Sequence, residues 1–150
     1  IRRGLEAHAP GPLRQEPLHH PSGAVLVLDA YNANPASMRA SIEAFVEEFP
    51  GKAKTLVLGD MKELGPQSPQ FHRELGAWLA TLDLKAVFLA GPEMLSAANA
   101  LREAEPKFPV SHDADATAFV GLIKEKLSAS DAVLFKASRA MTLENLARAL

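Results

Sequence analysis

Ala24-Val25-Leu26-Val27-Leu28-Asp29-Ala30-Tyr31-Asn32-Ala33-Asn34-Pro35 is the stretch that decides the fold. Its first five residues are continuously apolar and partly β-branched, which predicts a short strand buried on both faces. Asn34-Pro35 then marks a helix start. Asn is a good N-cap, and Pro suits the first helical position because no hydrogen bond is lost there. Met38, Ile42, Phe45, Val46 and Phe49 recur behind it at helical spacing. Pro50-Gly51 ends that helix. A strand that turns straight into an amphipathic helix is half of a βαβ unit.

The unit recurs downstream. Thr55–Leu58 predicts a strand, Ser68-Pro69 a second N-cap and first-turn pair, and Phe71, Leu75, Trp78, Leu79 and Leu82 a second apolar helix face. Ala86–Leu89 predicts a third strand, and Gly91-Pro92 opens a helix through Leu95, Ala98 and Leu101. Val110-Ser111 is a short strand. Asp113 or Asp115 then caps a helix carrying Phe119, Val120, Ile123 and Leu127. Ala132–Phe135 is a further strand, and the chain ends in a helix with Leu143, Leu146 and Leu150. Strands alternating with helices call for right-handed crossovers between parallel neighbours. The expected fold is α/β: a three-layer, Rossmann-like domain with a mostly parallel sheet and helices on both faces. It occupies residues 24–150. Residues 1–23 differ, with Pro10, Gly11, Pro12, Pro17, Pro21 and Gly23 interrupting them. They read as a lead-in or hinge, with a helix end in Ile1–Ala9 and an edge strand over Leu13–Leu18, where Pro17 is tolerable. The start at Ile1, without an initiator Met, reads as that of a piece of a longer chain.

Composition narrows the function. The 150 residues suffice for one domain with a real core. Sixteen basic against eighteen acidic side chains lack the excess that nucleic-acid binding calls for. The absence of Cys removes disulfides, thiolate zinc sites and thiol nucleophiles together. There is no membrane-length apolar run and no signal-peptide h-region, so a cytoplasmic setting is expected. No exposed heptad or long apolar stripe demands a partner, so a monomer is expected.

Open α/β sheets bind ligands beyond the carboxyl ends of their strands. That rule selects Asp29, Gly59-Asp60, Ala90-Gly91 and Lys136-Ala137-Ser138-Arg139. Asp29 can accept two hydroxyl hydrogen bonds, as a ribose diol offers, and Asn32 and Asn34 carry donors and acceptors together. Capping by Asn34 and an Asx-turn at Asn32 account for part of this cluster but not all of it. Arg139 suits bidentate capture of a carboxylate or phosphate, and a helix start adds free N–H groups for an anion. The Gly59–Gly65 loop also reads as a charged turn whose glycines allow positive φ. There is no G-x-G-x-x-G after the first strand, no G-x-x-x-x-G-K-[ST] and no G-x-S-x-G. The chain therefore has no phosphate loop of its own. His19-His20 lacks companions at metal spacing, and no metal site is expected. His72 reads as a surface or boundary histidine.

In this order, Asp29-Ala-Tyr-Asn-Ala-Asn-Pro35-Ala-Ser-Met38, Leu58-Gly-Asp-Met-Lys-Glu-Leu-Gly65 with His72 downstream, and Val133-Leu-Phe-Lys-Ala-Ser-Arg139 followed by Met141 and Glu144 resemble the C-terminal domain of the Mur ligases. The first motif is most similar to that of the dipeptide-adding member. Ala137 departs from the Gly usual there, and Lys62 stands where an apolar residue is common. The resemblance implies a three-domain, ATP- and Mg²⁺-dependent ligase of peptidoglycan precursor synthesis. One domain binds the UDP-sugar, a central P-loop domain holds ATP and Mg²⁺, and the C-terminal domain closes over both. The family chemistry adds D-Ala-D-Ala to UDP-MurNAc-tripeptide through an acyl phosphate. By the same resemblance Arg14, Asp29, Tyr31 and Asn32 bind the nucleotide, and Asn34, Lys136, Ser138 and Arg139 meet the dipeptide or transferring phosphate. No catalytic residue is assigned to this chain, which alone is expected to be inactive.

Two alternatives stay open on the sequence. One is another ligase of this architecture, of a different Mur type or the folylpolyglutamate type. The other is a non-catalytic α/β module that binds a nucleotide, or holds Mg²⁺ between Asp29 and Asp60.

Overall fold

A computed structural model describes residues 13–150. The helix end expected in Ile1–Ala9 lies outside the described residues. Six strands, β1 (Glu16–His19), β2 (Val25–Asp29), β3 (Ala53–Gly59), β4 (Ala86–Ala90), β5 (Val110–Asp113) and β6 (Asp131–Lys136), form one sheet in the order β1-β2-β6-β3-β4-β5. β1 runs antiparallel to β2, and every other pairing is parallel. The edge strand expected over Leu13–Leu18 runs over Glu16–His19. Pro17, without an N–H to donate, sits there on the sheet edge, where among the described residues no further strand pairs with it.

The helices are α1 (Pro35–Glu48), α2 (Ser68–Leu79), α3 (Met94–Glu103), α4 (Val120–Lys124) and α5 (Glu144–Ala149). Helices α1, α2 and α3 pack Met38, Ile42, Phe45, Leu79 and Leu101 with Leu56, Leu58 and Leu134 on one face of the sheet. On the other face Phe119, Ile123, Leu143 and Leu146 meet Leu28, Val57, Val133 and Phe135. Each fully buried side chain of this size stabilises the fold by roughly 1.5–3 kcal/mol. None of the helices among the described residues is long and apolar enough to cross a membrane.

Three local expectations change. β2 is fully buried on one face only: Leu26 and Leu28 are covered, while Val25 and Val27 are half-buried. The strand buried along its whole length is β6, which lies at the centre of the sheet. Ser68 does not cap α2. It is the helix's first residue, following a 3-10 turn at Gly65–Gln67, and its hydroxyl bonds Glu93 instead. The helix expected through Leu127 is shorter. Asp115, not Asp113, caps a 3-10 turn at Ala116–Phe119, accepting Thr117 N–H at 2.9 Å, and only Val120–Lys124 is α-helical. Gly121 lies inside that helix and weakens it.

The strand order creates the crevice. The chain leaves β2 into α1 on one face and leaves β6 toward α5 on the other, yet β2 and β6 are neighbours. Adjacent strands with exits on opposite faces make a topological switch point, where the loops part and a ligand fits. Asp29 and Lys136 are the last register pair of those two strands.

Candidate functional site

Asp29 and Lys136 meet directly. Lys136 Nζ donates to Asp29 Oδ2 at 3.0 Å and to the Asn32 carbonyl at 3.0 Å. The Lys136 side chain is 3% exposed and that of Asp29 13%, so this is a buried ion pair. Ser41 Oγ donates to the same Asp29 Oδ2 at 2.6 Å. Oδ2 is thus saturated, and Oδ1 makes no hydrogen bond among the described residues. Asp29 lines an open cleft of about 420 Å³ together with Arg14, Tyr31, Asn32, Ser41 and Lys136. Ser41 was missed by sequence reasoning. Its signal was a hydroxyl on the buried side of α1, between Met38 and Ile42.

Tyr31 stands at the mouth of the cleft, 44% exposed. The Arg14 guanidinium lies 4.1 Å from its ring centroid and that of Arg139 lies 5.8 Å away. Both are within cation–π range. The two asparagines are engaged locally. Asn32 Oδ1 accepts Ala33 N–H at 2.9 Å. Asn34 Oδ1 accepts Ser37 N–H at 2.8 Å while Ser37 Oγ accepts Asn34 N–H at 3.0 Å. This reciprocal capping box anchors the start of α1.

Ser138 ties three loops together. Its N–H donates to the Asp60 carbonyl at 3.2 Å, its hydroxyl accepts Lys62 N–H at 2.9 Å, and the same hydroxyl donates to the Ala33 carbonyl at 3.3 Å. Lys136 and Ser138 are both buried and bonded within the protein, whereas Arg139 is exposed. Ala137 needs no left-handed backbone: it is absent from the residues with positive φ, and its side chain is fully buried. Gly59 makes the room, because a Cβ there would stand 2.7 Å from the Ala137 Cβ. Close approach, not positive φ, is therefore what Gly59 supplies. In the same loop Glu63 and Gly65 do take positive φ.

A second polar cluster lies beside the first, at the ends of β3 and β4. Asp60 is fully buried, and its Oδ1 accepts Met94 N–H at 2.9 Å, capping α3 from a distance. Lys62 Nζ bridges Asp60 Oδ2 at 2.7 Å and Glu93 Oε1 at 2.8 Å. The bond to Asp60, with help from that to Glu93, holds the Lys62 ammonium above its usual range. Burial pushes the Glu93 carboxyl up, but the bonds from Lys62 and Ser68 outweigh it and leave it below its usual value. Asp29 and Asp60 each answer to a lysine, and among the described residues no three His, Asp or Glu side chains gather as metal ligands. The two carboxylates that the Mg²⁺ alternative would use, Asp29 and Asp60, are each paired with an ammonium group in this structure.

A three-layer α/β fold with a polar cleft at its switch point defines the class: a Rossmann-like domain. The Mur ligase, glutamate ligase domain family matches residues 13–139, and the chain belongs to that family. It is 39% identical over 150 residues to a UDP-N-acetylmuramoyl-tripeptide–D-alanyl-D-alanine ligase of Bacillus subtilis, covering 99% of this chain and 32% of that protein. The enzyme of the same name in Escherichia coli is 31% identical, with 100% of this chain and 32% of that protein covered. A solved structure of MurF ligase from Thermotoga maritima in complex with ADP superposes with a TM-score of 0.79 at 33% identity, covering 97% of this chain and 32% of that one. The chain thus spans about a third of the length of the relatives it matches.

Proposed function

We propose that this chain is the C-terminal domain of an ATP-dependent ligase that adds D-Ala-D-Ala to UDP-MurNAc-tripeptide in the cytoplasm. The observation that carries the reading is the Asp29–Pro35 turn, which forms one wall of the cleft and falls within the span shared with UDP-N-acetylmuramoyl-tripeptide–D-alanyl-D-alanine ligases. The residues present fit a nucleotide. Asp29 offers Oδ1 to ribose hydroxyls, Tyr31 offers an exposed ring, and Arg14 offers its guanidinium group to phosphate oxygens. ATP is a substrate of this reaction, and the Mg²⁺ that accompanies it is assigned to the rest of the full-length protein, with the phosphate loop.

In the proposed reaction the terminal carboxylate of the tripeptide attacks the γ-phosphorus of ATP, and ADP leaves. The amine of D-Ala-D-Ala then attacks the acyl phosphate carbon. The C–O bond to phosphate breaks, the amide forms and the amine gives up a proton. Closure of this domain over the others excludes water, which would otherwise hydrolyse the acyl phosphate. Asn34, Lys136 and Ser138 contribute by holding the shape of this edge, and Arg139 faces the incoming groups.

The test uses the full-length protein with UDP-MurNAc-tripeptide, ATP, Mg²⁺ and D-Ala-D-Ala, following phosphate release and product mass. One phosphate per pentapeptide formed, dependent on the dipeptide, supports the reading. Turnover with a single amino acid or a folate in place of these substrates, and none with the dipeptide, defeats it.

A further inference from the structure

His72 is a buried ionisable side chain at the polar edge to which the proposed reaction gives no task. It lies on α2, is fully buried, and touches the Gly59–Gly65 loop. Met61 N–H donates to His72 Nε2 at 3.1 Å. That nitrogen must therefore carry a lone pair. The proton is on Nδ1, which donates to the Ser68 carbonyl at 2.8 Å. The ring is held from both sides, accepting at Nε2 and donating at Nδ1.

The loop it grips has little regular backbone pairing of its own. Glu63 and Gly65 turn through positive φ, and the loop is held by individual bonds. Two of these bonds go to Ser138, from Lys62 N–H to the hydroxyl and from Ser138 N–H to the Asp60 carbonyl. Arg139 follows at once and reaches over Tyr31. Asp29 is positioned otherwise, by Ser41 and Lys136. The two parts of the edge are thus braced by different donors, and they are joined where the Ser138 hydroxyl donates to the Ala33 carbonyl.

We propose that His72 is the positioning residue of the Ser138–Arg139 half, acting through the Met61 amide. The proposal rests on the ligase reading, with Arg139 facing the incoming dipeptide and Asp29 the nucleotide. On this basis His72 governs capture of the dipeptide and not of ATP.

Two substitutions separate this role from simple core filling. His72→Gln places an amide oxygen near the position of Nε2 and keeps an acceptor for Met61 N–H. His72→Asn reaches only as far as Nδ1 and leaves that amide unpaired. In the full-length protein, His72→Asn should raise KM for D-Ala-D-Ala about tenfold, the effect of roughly one lost hydrogen bond, and leave KM for ATP within about twofold. His72→Gln should stay within about threefold of wild type in both. Hydrogen exchange should show the segments around residues 59–65 and 136–139 losing protection in His72→Asn and keeping it in His72→Gln, with β2 unchanged in both.

Equal rises in both KM values, or Gln behaving no better than Asn, overturn the proposal. If wild type shows no dipeptide-dependent turnover, the ligase reading fails, and hydrogen exchange alone decides the bracing. Lost protection confined to the two segments supports it, and unchanged protection overturns it. Should His72→Asn fail to fold, the ring nitrogens of ¹⁵N-histidine-labelled wild type decide. A neutral histidine protonated on Nδ1, missing from His72→Gln, supports the proposal, and a proton on Nε2 overturns it.

Discussion

Replacing Lys136 by Met isolates the contact at the switch point. Met keeps most of the stem's volume in a site where the lysine side chain is 3% exposed. It removes the bonds to Asp29 Oδ2 and the Asn32 carbonyl, both at 3.0 Å. Breaking a buried pair by deleting one partner costs about 3–5 kcal/mol, because the other charge is left behind. Asp29 retains Ser41 and is 13% exposed, which places this case near the lower end, about 3 kcal/mol. At about 2–4 °C per kcal/mol for a domain of this size, Tm should fall by roughly 6–12 °C. Adding Asp29→Asn should restore about 1–2 kcal/mol, since the stranded charge is gone. Thermal and urea unfolding of the chain measure both. A Lys136→Met variant within about 0.5 kcal/mol of wild type, or a double variant no more stable than the single, would refute the buried-pair account.

Gly91→Ala should cost several degrees of Tm or abolish folding: φ is +108° there, and a Cβ would sit 2.4 Å from Asp60 Oδ1. Gly121→Ala, with nothing within 4 Å of its Cβ and a helical backbone, should instead stabilise by about 0.5–1 kcal/mol in the same melt. Burial pushes the Asp131 carboxyl up, but the bonds from Lys85 and Ser128 outweigh it and hold it below 3.8. Its stabilisation is therefore complete above that pH and lost as pH falls through the lower folded value. Asp131→Asn should flatten the acid limb of a stability–pH curve, and an unchanged limb would count against the pairing. Ser41→Ala frees Asp29 Oδ2 from its hydroxyl donor and should weaken ADP binding by the full-length protein about three- to tenfold, read by calorimetry.

The βαβ rhythm was legible because each strand is a short apolar run and each helix carries its own face. Asn34-Pro35 and Pro50-Gly51 bound α1 by local chemistry alone, and the structure keeps both ends. What the sequence could not show is non-local. Nothing in Asp131–Lys136 says that it inserts between β2 and β3, and that insertion leaves β2 covered fully on one face only. Ser68 has the residue type of a cap, yet Glu93 competes for its hydroxyl from 25 residues away. At the site, Asp29, Tyr31 and Lys136 were found from their strand ends and motifs. That Lys136 is spent on Asp29, 107 residues distant, emerged only from the register of β2 and β6. The fit of Ala137 against Gly59 likewise depends on two strands meeting.

The most direct measurement is the affinity of the full-length protein for ADP and for its 2′,3′-dideoxy analogue, with and without Asp29→Asn. If Asp29 Oδ1 receives the ribose hydroxyls at the switch point, the substitution weakens ADP by about tenfold or more and leaves the dideoxy analogue nearly unchanged. Equal affinities of the folded variant and wild type for ADP would contradict the assignment of this cleft to the nucleotide.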